Sequence, residues 1–368
     1  MAGSYPRWDV FCRIVDNFGD AGFCWRLARQ LVSARHVHIT LWIDDLSALA
    51  PIVPGIDVNA ARQCVDGVEV ARFDDAFDAR GSQAAIEAFG CGLPARYLDS
   101  MVRDAPVWIN LEYLSAEAWV DGVHGLPSPQ PQRPLTRWFY FPGFTAATGG
   151  LLQGDDATYL ASADPTPGPG GRALQVSLFC YPNRSLPALL DAWAAAAEPL
   201  RVLVPEGVAT ADFARWLGTP LPAAPARIER RALTIDVLPF VTQRAFDVRL
   251  RACDLNIVRG EDSFVRAQWA ARPLVWQAYR QANDVQRVKI DAFLNRYLHA
   301  ADARDANAVR SFWHAFDAGN GDAAAGAWPA LRARLPSLQR HAARWAEHLA
   351  GLPELSASLA TFVKMRYN

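Results

Sequence analysis

Short apolar runs alternate with helical patterns over the first half of the chain. Val10–Val15 is an apolar run that ends in a polar loop, and Phe23–Val32 has helical periodicity. Val37–Ile43 and Val107–Leu111 are further runs of strand length. Strands that alternate with helices are typical of a parallel sheet covered by helices. We therefore expect an α/β domain here, with ligands bound in the loops that directly follow its strands.

A second alternating set follows a segment rich in proline and glycine. Residues Asp164–Gly171 have the sequence DPTPGPGG, which cannot continue a helix or a central strand, so we place a domain boundary there. Two Rossmann-like domains are predicted, 1–164 and 172–349, facing a central cleft. The pattern is helical after Asn283, and a helix over about 350–368 is expected to pack back on the first domain. The predicted strands of the second domain are Leu174–Phe179, Arg201–Val204, Ile235–Phe240, Leu255–Val258 and Leu274–Trp276, and its helices include Leu186–Ala197 and Phe264–Ala271.

The composition fits a two-domain globular protein and argues against two classes of partner. The chain has 368 residues, of which 51% are hydrophobic, enough material for two cores. Its 37 basic and 38 acidic residues leave no excess positive charge for direct nucleic-acid binding. The first ten residues include no apolar signal region, and no window reaches the ~18 apolar residues of a membrane span. We therefore expect a cytoplasmic protein without a membrane partner.

Neither the cysteines nor the histidines form a recognisable metal motif. The six cysteines include no C-x-x-C pair, and several lie in apolar runs, which predicts buried free thiols. The Asp-x-Asp pattern of many metal-dependent sugar transferases is absent, as is His-Glu-x-x-His. We expect no bound metal.

Two carboxylates lie in a glycine-containing loop after the first predicted strand. Asp16 and Asp20 belong to the segment DNFGDAG, which opens a helix. Each has a structural interpretation by itself, because Asp20 suits an N-cap and Asp16 suits a turn. Together at the mouth of a strand, they fit a catalytic role equally well.

A second candidate is the segment RGEDSF, which follows a later predicted strand. Gly260 permits a tight turn, and Asp262 or Ser263 is expected to start the next helix. The N–H groups and positive dipole of a helix start bind anions, and Arg259 can donate two hydrogen bonds to phosphate oxygens. The alternative is an ordinary N-cap beside a surface pair of Arg259 and Glu261.

A third candidate is aromatic. Phe240 and Phe246 flank a predicted turn, Val241–Ala245, that contains Gln243. A nucleobase stacked between the two rings would have Gln243 at its edge, and Tyr181 at the end of another strand would face the same cleft. The alternative is that both phenylalanines belong to the core.

Four stretches of the chain form a pattern that is specific to one family. They are CRIVDNFGDAGFCWRLARQL (Cys12–Leu31), YFPGFTAATGGLL (Tyr140–Leu152), SLFCYPN (Ser177–Asn183) and CDLNIVRGEDSFVRAQWAARPLVWQ (Cys253–Gln277). These stretches resemble the EarP arginine rhamnosyltransferases, which modify elongation factor P. The resemblance implies a GT-B fold, TDP-β-L-rhamnose as donor substrate, no cofactor, an arginine of elongation factor P as acceptor, and inversion at the sugar carbon.

The resemblance also implies roles for individual residues. Asp20 matches the general base of the family, and Asp16 matches the carboxylate that orients the acceptor. Phe18 departs from the tyrosine of many relatives, so we assign it no polar role. The positions that match donor contacts are Tyr181, Phe240, Gln243 and Phe246 around the thymine, and Arg259, Glu261, Asp262 and Ser263 around the ribose and diphosphate.

Two other functions are compatible with parts of the pattern. A GT-B-like transferase or epimerase for a small sugar nucleotide would keep the phosphate site but would not need the paired carboxylates. A non-catalytic nucleotide-binding module docked on a translation factor would retain its role after Asp20→Asn. Asn110, Glu112 and Glu117 are weaker acceptor-side candidates that are better interpreted as surface or strand-end residues, and Trp269 and Trp276 are interpreted as packing residues.

Overall fold

The computed structural model describes residues 5–15, 17–73, 81–153, 173–280 and 285–367. Two compact units account for the chain: residues 1–157 together with 349–368, and residues 158–348. The predicted link Asp164–Gly171 and the candidate Asp16 lie outside the described residues.

The first unit is built on one sheet. Its strand order is β3-β4-β2-β1-β5-β6-β8-β7, and neighbouring strands are parallel except where β3 and β7 pair at the two edges. The central order β4-β2-β1-β5-β6-β8 is that of a Rossmann fold. The elements are β1 Arg7–Cys12, α1 Asn17–Arg35, β2 His38–Ile43, α2 Leu46–Leu49, β3 Arg62–Val65, β4 Val68–Arg72, β5 Ala84–Ala88, α3 Ala95–Asp104, β6 Val107–Leu111, α4 Val120–Val123, β7 Pro127–Pro129 and β8 Thr136–Tyr140.

The second unit repeats the pattern. Its sheet has the order β11-β12-β10-β9-β13-β14 and is parallel except at β11. The elements are β9 Leu174–Leu178, α5 Leu186–Ala194, β10 Leu200–Pro205, α6 Thr210–Leu217, β11 Ala226–Arg230, β12 Leu233–Leu238, α7 Gln243–Ala252, β13 Leu255–Arg259, α8 Glu261–Trp269, β14 Leu274–Gln277, α9 Val285–Tyr297, α10 Ala303–Asp317 and α11 Gly321–Ala350.

The final helix, α12 (Leu355–Tyr367), belongs to the first unit. Arg35 at the end of α1 binds the carboxylate of Glu354 at 3.0 Å and the hydroxyl of Ser356 at 3.2 Å. Gly150 has a φ of +76°, and a Cβ there would lie 1.7 Å from the carbonyl oxygen of Pro353. The close approach of these two backbone segments therefore requires glycine at position 150.

A buried polar network stabilises the centre of the first sheet. The Asp9 carboxylate on β1 accepts the indole N–H of Trp42 at 2.9 Å and the hydroxyl of Tyr97 at 2.7 Å. Burial raises the pKa of Asp9 above its ordinary value. The ring of Phe11 packs against Trp42 and Tyr97, so the network is surrounded by aromatic side chains.

The predicted alternation of elements is confirmed, but only part of the first sheet was predicted. Both sheets are parallel-rich, and helices α9–α12 are the elements of the described residues after 284. The edge strands β3, β7 and β11 were not predicted, and neither were β4, β5 and β8 inside the first sheet, because these segments are short or mix apolar with polar and small residues. Among the cysteines, Cys64 on β3 is exposed and Cys91 is half-exposed, so the expectation of burial was wrong there.

Candidate functional site

In the second unit, the strand order reverses at β9. The chain proceeds from β9 to β10 on one side and later returns to β13 on the other. Ligands of open α/β sheets bind at such a reversal, beyond the carboxyl ends of the two strands. Tyr181 follows β9 and Arg259 ends β13, so two predicted donor residues lie at this point.

Arg259 is held between two aromatic rings. Its guanidinium carbon lies 4.7 Å from the ring centroid of Phe179 and 4.9 Å from that of Tyr181. One of its terminal nitrogens donates to the carbonyl of Cys180 at 3.4 Å. Stacking of a planar guanidinium on aromatic faces limits its rotation and keeps its charge at the strand end.

The turn after Arg259 makes a helix start with glycine as its N-cap residue. Gly260 has φ 61° and ψ −176°, and α8 begins at Glu261, so the N-cap residue has no side chain that could accept the first N–H groups. The helix thus starts one residue before the earliest predicted position. The indole N–H of Trp276 donates to the Gly260 carbonyl at 2.9 Å, and the Ser263 hydroxyl donates to the Arg259 carbonyl. The first N–H groups of a helix and the positive end of its dipole can bind an anion.

The start of α7 lies against the same turn. Gln243 is its first residue, with Thr242 as N-cap, so the predicted turn Val241–Ala245 was too long. The amide nitrogen of Gln243 donates to the Asp262 carboxylate at 3.3 Å. Phe246 packs edge-on against Phe179 at 5.3 Å.

The residues predicted to bind the donor thus lie on elements that contact one another. Phe240 is half-buried in the loop between β12 and α7. Phe246 contacts the ring that underlies Arg259, and Gln243 contacts the helix that follows it. The second unit therefore brings together a fixed cation, a helix start, two carboxylates and several aromatic rings at one end of its sheet.

In the first unit, Asp20 is a buried carboxylate in the first turn of α1. It is 2% exposed, and one oxygen accepts the backbone N–H of Val15 at 2.8 Å. The helix begins at Asn17, so Asp20 is not the N-cap residue and that interpretation was wrong. The hydrogen bond across the loop after β1 fixes the orientation of this carboxylate.

A tyrosine from the loop after β6 reaches the same carboxylate. The hydroxyl of Tyr113 lies 3.5 Å from the second oxygen of Asp20, and its ring stacks on Phe89 at 4.2 Å. Next to it, the amide of Asn110 donates to Glu112 at 2.6 Å. The carboxyl ends of β1, β5 and β6 therefore contribute acidic and aromatic groups to one edge of the sheet.

The buried thiols near these residues are poor nucleophiles. Burial raises the pKa of Cys180, next to Tyr181, to about 12. Burial also raises the pKa of Cys24, one helical turn after Asp20, well above its ordinary value. A neutral thiol is a weak nucleophile, so cysteine chemistry is not favoured at either edge.

Within the described ranges, no group of three or more His, Cys, Asp or Glu side chains is arranged to hold a metal ion. No helix among those ranges has both the length and the apolar character needed to cross a bilayer.

Three residues at these edges make contacts that the sequence analysis did not predict. Phe179 and Tyr113 contribute rings, and Trp276, which was predicted only to pack, also donates a hydrogen bond to Gly260. The sequence does not mark Phe179 as a site residue, because it ends an apolar run. Such a run has the same hydrophobic pattern whether its last residue is buried in the core or lies at a ligand-binding edge. Tyr113 follows the strand predicted at Val107–Leu111, so a search of every post-strand loop would have found it.

Sequence comparisons identify close relatives over the full length of the chain. A family model described as Elongation-Factor P (EF-P) rhamnosyltransferase EarP matches residues 8–364. The protein-arginine rhamnosyltransferase of Pseudomonas putida is 44% identical, with 97% of this chain and 98% of the relative covered. A protein-arginine rhamnosyltransferase of Neisseria meningitidis is 32% identical, with 96% of each chain covered.

Solved structures point to the same family. A structure described as the basis for EarP-mediated arginine glycosylation of translation elongation factor EF-P matches this chain with a TM-score of 0.66 and 32% identity. The match covers 98% of this chain and 99% of the other. The spinosyn rhamnosyltransferase SpnG, complexed with spinosyn aglycone, matches with a TM-score of 0.50 at 13% identity, covering 96% and 99%. The second likeness shows the fold alone, and the fold is GT-B, with two Rossmann-like domains. The chain belongs to the EarP family of elongation factor P rhamnosyltransferases.

Proposed function

We propose that this protein transfers L-rhamnose from TDP-β-L-rhamnose to an arginine side chain of translation elongation factor P, in the cytoplasm and with inversion at the sugar carbon. The assignment of a donor-binding site is supported by the guanidinium of Arg259, which stacks on two aromatic rings beside the start of α8. The assignment of an acceptor site is supported by the oriented, buried carboxylate of Asp20. The family description supports rhamnose and elongation factor P. TDP as the carrier of the sugar is what the resemblance of the sequence motifs implies.

On the donor side, each polar group suits a different part of a nucleoside diphosphate sugar. Arg259 and the first N–H groups of α8 suit the diphosphate, because both offer positive charge and donors. Glu261 and Asp262 are acceptors, which suits the ribose hydroxyls rather than phosphate. Tyr181, Phe240, Gln243 and Phe246 are assigned to the thymine. Ser263 contributes through the Arg259 carbonyl that its hydroxyl binds.

On the acceptor side, arginine is a difficult nucleophile. Its guanidinium stays protonated and its lone pairs are delocalised over the plane. In the proposed step, one guanidinium nitrogen forms a bond to the sugar carbon, the bond from that carbon to TDP breaks, and one N–H proton passes to Asp20. Asp16 is assigned to hold the other side of the guanidinium. The step requires the sugar carbon of the bound donor to come within reach of the Asp20 carboxylate.

As the leaving TDP gains negative charge, Arg259 and the start of α8 are positioned to stabilise it. Fixed donors that need no reorganisation are the most effective form of such stabilisation. An inverting displacement with oxocarbenium-like character needs no covalent sugar–enzyme intermediate. We therefore expect turnover without an added metal ion.

The proposal is tested by mass spectrometry of unmodified elongation factor P after incubation with the enzyme and TDP-rhamnose. One arginine should gain one deoxyhexose, and the reaction should persist in EDTA. Asp20→Asn should lose about 10²- to 10⁴-fold in kcat, the range for removal of a general base. Transfer only to free sugars would instead support a small-molecule transferase.

Asp44→Asn is the matched control for Asp20→Asn. The Asp44 carboxylate also accepts a backbone N–H near the end of β1, that of Ile14 at 2.9 Å, but it is exposed. If Asp20 only holds the loop in place, the two variants should lose similar activity. Unchanged turnover in Asp44→Asn together with a large loss in Asp20→Asn assigns the proton transfer to Asp20.

A further inference from the structure

A buried ion pair connects the two helices that begin at the candidate donor edge. Arg266 on α8 and Asp247 on α7 are 1% and 4% exposed. The guanidine Nε of Arg266 lies 3.2 Å from one Asp247 oxygen and 3.3 Å from the other. Neither residue matched any predicted site, and neither is used in the proposed chemistry.

The position of this pair along the two helices is informative. Asp247 lies four residues after Gln243, and Arg266 lies four residues after Asp262. Four residues make about one helical turn, so the pair lies about 6 Å below the Gln243–Asp262 hydrogen bond, on the same line between the helices. The contacts between the two helices thus include a 3.3 Å hydrogen bond at the edge and an ion pair in the interior.

A buried ion pair is a poor source of stability but a strict geometric constraint. Replacement of such pairs by well-packed apolar residues is often neutral or stabilising, because desolvation offsets the attraction between the charges. The hydrogen bonds within the pair, however, tolerate little displacement. A slide of α7 along α8 by one residue is a shift of about 1.5 Å, which would break them. Apolar side chains at the same positions would tolerate such a slide.

We infer that Asp247 and Arg266 are positioning residues that set the register of α7 against α8 and thereby the spacing of the donor-binding groups above them. They act through Gln243, at the start of α7, and through Asp262, in the first turn of α8. Loss of the pair leaves each helix intact but lets the two helix starts shift. The identity of the donor in this inference rests on the proposed function.

The experiment replaces the pair with apolar residues, as Asp247→Leu with Arg266→Met, and measures steady-state rhamnosyl transfer. We expect the KM for TDP-rhamnose to rise about tenfold or more, because ångström-scale misplacement of binding groups costs up to about 10²-fold. The KM for elongation factor P and the melting temperature should change little. A second double variant, Asp247→Glu with Arg266→Lys, keeps both charges but lengthens the pair by two bonds, because the Arg266 contact is made by Nε. If register rather than charge is what the pair supplies, its donor KM should rise as well.

The matched control is another ion pair of the same unit. Arg334 on α11 binds Asp305 on α10 at 2.5 Å, and Asp305 is 4% exposed. Asp305→Leu with Arg334→Met removes an interhelical pair that also has a buried carboxylate, although Arg334 itself is one-third exposed, and that does not involve α7 or α8. Its donor KM should stay within twofold of the wild-type value.

A wild-type donor KM in the folded Leu/Met variant would overturn the inference, as would an equal rise in the control. If the Leu/Met variant does not fold, Arg266→Lys takes its place, with the same rise expected and the same refuting result. A wrong donor assignment would appear differently, as a wild-type enzyme that does not turn over TDP-rhamnose. A wrong positioning role would appear as unchanged kinetics in variants of an active enzyme.

Discussion

Arg259→Lys separates the geometry of the guanidinium from its charge. Lysine keeps the positive charge but loses the planar fork and most of the stacking on Phe179 and Tyr181. In the proposed complex, two charge-assisted hydrogen bonds to the diphosphate become one, a loss of about 1.5–3 kcal/mol. The weaker stacking, at ring distances of 4.7 and 4.9 Å, adds about 0.5–1 kcal/mol.

These terms sum to about 2–4 kcal/mol, which corresponds to a loss of about 30- to 900-fold in kcat/KM for the donor. The assay is the initial rate of rhamnosyl transfer at subsaturating TDP-rhamnose, with the melting temperature measured in parallel. Arg272→Lys is the control, because Arg272 donates to a backbone carbonyl at 2.8 Å and precedes β14 at the opposite end of the sheet. A kcat/KM within threefold of the wild-type value in Arg259→Lys would refute the role assigned to the ring-held guanidinium.

Three further predictions concern the first unit. Tyr113→Phe removes the hydroxyl 3.5 Å from Asp20 and should lower kcat about two- to tenfold without loss of fold, whereas an unchanged kcat would exclude a supporting role. Gly150→Ala should lower the free energy of unfolding in denaturant by about 3 kcal/mol or more. Gly92→Ala, in the same unit with a similar φ of +75° but open space, should lower it by about 1 kcal/mol. Equal losses would contradict the clash. Burial lowers the pKa of His124 below 6.5, so the unfolded state takes up the proton first and thermal stability should fall as pH decreases below 6.5, less so in His124→Gln.

The local character of the sites was accessible from the sequence. Apolar runs of strand length, each followed by a polar loop and a helical pattern, predicted parallel sheets, and parallel sheets bind ligands at the carboxyl ends of their strands. This reasoning selects the loop that contains Asp20 and the turn after Arg259. Resemblance to a family, rather than composition or spacing, identified rhamnose and elongation factor P.

Some errors came from local competition between interactions. Asp20 was a plausible N-cap, but the helix begins three residues earlier and its carboxylate turns back to the Val15 amide. Gln243 was placed in a turn, but Thr242 caps a helix that starts at Gln243. Thr242 accepts the Ala245 N–H at the start of α7, whereas Asp20 accepts an N–H of the loop before α1, and propensity alone does not resolve either choice.

By itself, then, the sequence determined the alternation of strands and helices, the apolar strands of the second sheet and the loops that end at the ligand edges, because hydrophobic periodicity and turn residues act over a few neighbouring positions. Only the tertiary structure decided which distant residues meet. Phe179 and Arg259 lie on strands far apart in the chain, and they touch because β9 and β13 are neighbours in the sheet. Asp247 and Arg266 likewise pair through helix packing. Such partners are chosen by strand order and close packing, which depend on the whole fold and leave no short-range pattern in the chain.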